Sequence, residues 1–259
     1  MQLTTLLDKV ARLDKVAKKY YSLHKFSGEK KMFYYYGRKK QIAKHYPAPN
    51  YGCIIEPFAG SAAYSLFSGN WRNQVVLIEK DPKVASIWEW LISEATEQKI
   101  KNLPDLKVGE KSSEFLHIIH AATKMAFKYK TITVTPVLAR NWEISRRVMA
   151  ENLQKIKHWQ IICGDYTVAP DIEATWFIDP PYKSEPGMGY GFSSALINYE
   201  ELAKWSLNRQ GEVICCEGEY GDYLPFETLL DLKGVAGKSS REKIFYRTPH
   251  SPMQLRLVA

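Results

Sequence analysis

Residues 53–61 read Cys53-Ile54-Ile55-Glu56-Pro57-Phe58-Ala59-Gly60-Ser61, an apolar run that closes on a carboxylate and then turns through small residues. Buried parallel strands read as short continuous apolar runs, and small residues let a strand-to-helix turn bring its backbone close to a ligand. The same pattern recurs along the chain. Runs at 75–79 (VVLIE), 159–165 (WQIICGD), 174–180 (ATWFIDP) and 212–218 (EVICCEG) are apolar, and most end in an acidic or small residue. Helical patterns at 61–67, 82–97 and 199–208 lie between several of them. This alternation predicts an α/β fold, a parallel sheet with helices on both faces. In such sheets ligands bind at the carboxyl ends of the strands, where these acidic residues fall.

Outside that pattern lie two further segments. Between 98 and 157 the chain is basic and strand-poor, with helices expected at 113–128 and 141–157, and it reads as an insertion in the sheet domain. At the N-terminus Leu3, Leu6, Val10, Leu13, Ala17 and Tyr20 recur at steps of three and four, with lysines on the opposite side. That spacing predicts an amphipathic helix, docked on the chain's own core or, alternatively, in a coiled coil. The expected organisation is a basic helical segment 1–31, a sheet domain made of 32–97 and 158–259, and a helical insertion 98–157.

The composition excludes several classes. With 259 residues, 45% apolar and 25% charged, the chain is long enough for a substantial core, and 13 Pro and 15 Gly are too few for a low-complexity protein. No apolar run approaches the roughly 18 to 20 residues that span a bilayer, so no membrane association is expected. Cys53, Cys163, Cys215 and Cys216 form no CxxC pair and sit in strand-like runs, so buried free thiols and a reducing cytoplasm are expected. No His/Cys cluster suggests a metal. The charge is unevenly spread: residues 1–50 carry 12 Lys and Arg against 3 Asp and Glu, and residues 101–160 carry 11 against 5, whereas the remainder is net −7. An acidic body with two basic segments suits a polyanion such as nucleic acid; solubilising surface lysines are the plainer explanation. Candidate phosphate contacts are Lys124, Lys128, Arg140, Arg146 and Arg147.

Four short signatures carry the chemistry. Glu56 to Ser61 forms a small-residue turn. Glu79, at the end of the next strand, can accept two hydrogen bonds from ribose hydroxyls. In Gly164-Asp165-Tyr166 a carboxylate can accept from an adenine amine while a ring packs beside it. In Asp179-Pro180-Pro181-Tyr182 two prolines fix an extended turn, presenting the Asp179 carboxylate and the Pro180 carbonyl as adjacent acceptors for a planar amine, with Tyr182 as a flat face.

In this order, with Tyr35-Tyr36-Gly37-Arg38-Lys39 ahead of them and Arg241 to Tyr246 behind, the signatures resemble the Dam-like class of S-adenosylmethionine-dependent adenine-N6 DNA methyltransferases, whose mark is the DPPY motif. The resemblance covers about residues 32–182. It implies a Rossmann-like methyltransferase sheet, with 98–157 as a target-recognition insertion. It also implies S-adenosylmethionine as cofactor, held by Tyr36, Gly37, Lys39, Glu56, Phe58, Ala59, Gly60, Ser61, Glu79, Asp165, Tyr166 and Asp179. Asp179, Pro180 and Tyr182 would be catalytic, and DNA the partner. Arg38 and Ser61 stand where the family has a second glycine, and no FNGLxR-like sequence occurs between 98 and 157, so target specificity does not carry over. Adenine methylation in RNA, and a cofactor-binding regulator without transfer activity, remain as alternatives.

Overall fold

The computed structural model describes residues 32, 33, 35, 39, 42–112, 131–184, 187, 188, 192–233 and 239–249. The helices expected at 1–31 and 113–128, together with Tyr36, Gly37, Lys124 and Lys128, lie outside the described residues. Among the described residues no helix is long and apolar enough to cross a membrane.

The expected α/β architecture is present. Seven strands, β1 (Cys53–Glu56), β2 (Gln74–Glu79), β5 (Gln160–Cys163), β6 (Ala174–Ile178), β7 (Gly211–Glu217), β8 (Glu227–Lys233) and β9 (Ser239–Arg247), form one sheet in the order β5-β2-β1-β6-β7-β9-β8. Neighbours from β5 to β7 are parallel, and β9 runs antiparallel between β7 and β8. From β1 the chain steps outward to β2 and β5, then returns to β6 on the other side of β1. The winding therefore reverses between β1 and β6, the switch point at which α/β sheets open a crevice for ligands.

Alternation along the strands sends neighbouring side chains to opposite faces. Ile54, Leu77, Phe177 and Ile214 join Trp88, Trp142, Trp159, Tyr46 and Tyr64 in one core, whereas Ile55, Val76, Ile78, Trp176 and Val213 pack with Leu202 and Ala203 in the other. Helix α1 (Pro82–Glu89) begins at Asp81, whose side chain accepts the Lys83 N–H, with Pro82 in the first turn. The pattern at 82–97 does not give one helix. It passes through a π turn, Trp90–Glu94, and restarts as α2 (Glu97–Lys101) where Thr96 caps Lys99 N–H. Helix α4 (Tyr199–Leu207) covers the second face.

Within 98–157, α3 spans Pro136–Asn152, earlier than the expected 141–157, because Thr135 caps the Leu138 N–H and Pro136 opens the helix. Its Trp142 and Met149 belong to the first core. A short antiparallel pair that strand-poor composition did not suggest, β3 (Lys111–Ser112) with β4 (Ile132–Thr133), precedes it. Of the cysteines, Cys215 and Cys216 are buried as expected, but Cys53 is only partly so and Cys163 is exposed. Cys163 ends β5, which lies at the sheet edge and has one paired side.

Candidate active site

The turn after β1 is pinned from three directions. The Ala59 N–H donates to the Ile78 carbonyl at 3.0 Å, the Gly60 N–H to Glu79 Oε2 at 2.9 Å, and Trp88 Nε1 to the Gly60 carbonyl at 2.9 Å. Gly60 has φ +46°, and a Cβ there would come within 2.9 Å of the Tyr35 ring, so the position requires glycine on both counts. Residues 61–67 do not form the expected helix. Left-handed φ at Gly60, Ala62 and Ser68 breaks the helical path into successive turns, and the buried Glu56 carboxylate takes the Ser65 N–H at 2.8 Å. The turn thus presents backbone to the crevice without a helix N-terminus. Burial lifts the Glu56 carboxyl to about 8 against the pull of Ser65.

Glu79 closes β2 with both oxygens engaged, Oε2 by Gly60 and Oε1 by the Asp81 N–H at 2.8 Å. Each oxygen keeps a further lone pair for a ligand hydroxyl. Burial raises this carboxyl to about 7, opposed by those two N–H groups. Beyond β5, Asp165 caps a short turn at Thr167 and pairs with Lys80 at 2.8 Å. Its partial burial acts upward, yet the Lys80 ammonium and Thr167 N–H hold its carboxyl below the usual range. Tyr166 stacks on Phe58, with centroids 5.5 Å apart and an interplanar angle of 29°, and meets Trp205 edge-on at 5.0 Å.

Asp179 follows β6 and faces a buried cation. Lys39 Nζ lies 2.9 Å from Asp179 Oδ1 and 3.6 Å from Glu242 Oε1 on β9, and it donates to the Tyr182 hydroxyl. Glu242 Oε1 accepts the hydroxyls of Tyr182 at 2.6 Å and Tyr46 at 2.5 Å. Burial raises the Asp179 carboxyl to about 6 although Lys39 opposes it. Burial likewise works against the charge on Lys39, but Asp179 and Glu242 outweigh it and hold the ammonium firmly protonated. The DPPY turn is itself fixed: the Pro181 carbonyl accepts the Tyr199 hydroxyl at 2.5 Å, and the Lys183 N–H points to the Glu217 carboxylate at 3.2 and 3.3 Å. Gly218 lets the Tyr182 ring approach, since a Cβ there would lie 2.9 Å from it.

These parts surround one cavity of about 270 Å³ at the switch point. Lys39, Glu56, Phe58, Ala59, Gly60, Ser61, Glu79, Asp165, Tyr166 and Asp179, all singled out in the sequence, line it together. Pro180 and Tyr182 are not in its wall; Pro181 is, and Tyr182 stands behind Lys39 with its hydroxyl tied to Glu242. The structure adds Lys80, Phe192, Asn198 and Glu201 to the wall. Of the arginines on α3, Arg140 and Arg147 are exposed, whereas Arg146 turns inward to the Leu103 carbonyl and Asp105, so its charge is spent within the protein.

No protein-family model matches the sequence. No curated protein matches it either. Among solved structures, a proposed transferase from Pyrococcus horikoshii superposes with a TM-score of 0.32 and 11% identity, over 81% of this chain and 63% of that one. The chain thus spans less than two thirds of that protein.

Proposed function

We propose that this chain is an S-adenosylmethionine-dependent methyltransferase acting on the exocyclic N6 of adenine in DNA. The observation that supports it is convergence: four signatures spread over more than a hundred residues line one cavity at the switch point, with Asp179 in its wall.

The residues present fit the cofactor. Phe58 and Tyr166, stacked on each other, offer a flat apolar wall for an adenine ring, with the Asp165 carboxylate beside it for the ring's amine. Glu79 has lone pairs left for a ribose diol, and a side chain at Gly60 would close the space against Tyr35. When bound, the cofactor supplies a methyl group made electrophilic by its sulfonium.

The protein's own residues must supply a usable nucleophile. The lone pair of the adenine amine is delocalised into the ring. Asp179 and the Pro180 carbonyl, accepting its two N–H bonds, would turn that lone pair toward the methyl and stabilise the positive charge that develops on nitrogen. Tyr182, outside the cavity wall and with the Lys39 ammonium over its ring, would stack on the base once it leaves the duplex only on a face that Lys39 leaves clear. The basic segments supply the attraction for phosphate.

Incubation with tritiated S-adenosylmethionine and either duplex DNA or total RNA, followed by identification of the labelled nucleoside, tests the reading. N6-methyldeoxyadenosine is expected. Label only in RNA would reassign the substrate, and label in neither would remove the proposal.

A further inference from the structure

Lys39 stands between two carboxylates of different position. The nearer, Asp179 at 2.9 Å, borders the cavity; the farther, Glu242 at 3.6 Å, lies on β9 with 4% side-chain exposure, fixed by the hydroxyls of Tyr46 and Tyr182. Lys39 itself is only 7% exposed at its side chain, and its ammonium lies 4.0 Å from the centre of the Tyr182 ring. An ammonium so removed from water needs an anion wherever it rests. Lys39 engages one Asp179 oxygen and leaves the other open to an amine, but while the ammonium sits at 2.9 Å it neutralises the charge that the carboxylate can offer that amine. A small movement that shortens the longer contact to hydrogen-bond length would keep the cation paired and return that charge to Asp179.

We propose that Lys39 is a two-position cation and that Glu242 is its second station: as the target amine enters, the ammonium passes from Asp179 to Glu242. This rests on the reading of Asp179 as the acceptor for that amine. Before entry Lys39 neutralises Asp179; afterwards it neutralises Glu242, and the freed Asp179 carries the negative charge that opposes the positive charge developing on nitrogen. Glu242 touches no reacting atom and is a positioning residue.

Two variants of Glu242 separate this role from a structural one. Glu242→Gln keeps the length of the side chain and an oxygen for both tyrosine hydroxyls but has no charge to receive Lys39. Glu242→Asp keeps the charge and shortens the reach. A structural role makes Gln the milder change, whereas the second station makes Asp the milder one. With the nucleic acid that the wild type labels, Glu242→Gln should hold S-adenosylmethionine with affinity within about twofold of wild type by calorimetry. Its single-turnover transfer should slow about tenfold or more, less than the roughly hundred- to thousandfold cost of losing a group that touches the transition state, because Glu242 acts through Lys39. Glu242→Asp should recover most of that rate.

Transfer by Glu242→Gln at the wild-type rate, or a rate for Glu242→Asp no better than for Gln, overturns the proposal while leaving the functional reading in place. A wild-type protein that labels neither DNA nor RNA overturns both. Should Glu242→Gln fail to fold, Lys39→Arg carries the test. A guanidinium can span both carboxylates without leaving Asp179, so slow single-turnover transfer at saturating cofactor is expected, and wild-type transfer overturns the proposal.

Discussion

The carboxylate of Glu79 accepts the backbone N–H of Gly60 at 2.9 Å, which makes the end of β2 and the turn after β1 a single unit at the mouth of the crevice. A side chain singled out for ligand contact therefore also holds the loop that forms the other wall. Glu79→Ala should weaken S-adenosylmethionine binding by about 1 to 3 kcal/mol, the range for removal of a charge-assisted hydrogen bond, and should lower the melting temperature because the Gly60 and Asp81 N–H groups lose their acceptor. Glu79→Gln retains an acceptor and should spare stability more than affinity. Calorimetry that shows unchanged affinity in both variants would move the ribose contact to Asp81.

Buried carboxylates around the site set a pH dependence of known sign. Burial raises Glu56 to about 8 and both Glu79 and Glu217 to about 7 from 4.5. Between those limits the folded state binds more protons than the unfolded chain, so stability from these groups is complete below about pH 4.5 and declines as pH rises through 7 to 8. Glu56→Gln removes one such proton site while keeping an acceptor for Ser65. It should therefore gain stability relative to wild type more at pH 8 than at pH 5. Parallel melting curves of the two proteins across that range would count against the assignment.

The exposed arginines of α3 and the inward-turned one should behave differently. Neutralising the exposed Arg140 and Arg147, together with Lys124 and Lys128, should flatten the salt dependence of DNA affinity by about 0.9 in log-log slope for each phosphate no longer engaged. Arg146→Ala should leave the slope unchanged and instead cost about 1 to 3 kcal/mol of stability, because the Leu103 carbonyl and Asp105 lose a charged donor. A slope indifferent to all four neutralisations would mean that these charges only solubilise the protein.

The parts of the fold that could be read from the chain are those with local causes. The strands β1, β2, β6 and β7 are apolar runs because both their faces are covered, and their acidic ends mark the crevice. β8, with the mixed sequence ETLLDLK, carries no apolar signature: among the described residues it is an edge strand paired with β9 alone, and has no reason to be uniformly apolar. The segment 61–67 carries helical spacing, but Glu56 captures Ser65 and the left-handed residues on either side redirect it, effects that spacing does not encode. The start of α3 was written in Thr135-Pro136, a cap that the apolar period alone overlooked. Glu242 lay in view within Arg241 to Tyr246. Its meaning depends on Lys39, Tyr46 and Tyr182, partners that only the assembled sheet brings to it.

Capture of the base and transfer of the methyl group are separable within the DPPY turn. Asp179→Ala removes the proposed acceptor of the target amine and should abolish nearly all transfer, while the turn stays anchored by Tyr199 on the Pro181 carbonyl and by Glu217 on the Lys183 N–H. Tyr182→Ala should weaken hold on the flipped base by roughly 1 to 3 kcal/mol, the worth of one aromatic stack. Tyr182→Phe keeps that stack but takes the hydroxyl from between Lys39 and Glu242, so its defect should lie in the transfer step rather than in capture. An adenine opposite a mismatch or an abasic site is easier to extrude, and should partly restore Tyr182→Ala, hardly help Tyr182→Phe, and leave Asp179→Ala inactive. Single-turnover rates on matched and mismatched duplexes distinguish the three. Equal rescue of all of them would contradict these roles, and full activity in Asp179→Ala would end the mechanism proposed for this turn, because among the described residues of the cavity wall Asp179 is the carboxylate that directly closes β6.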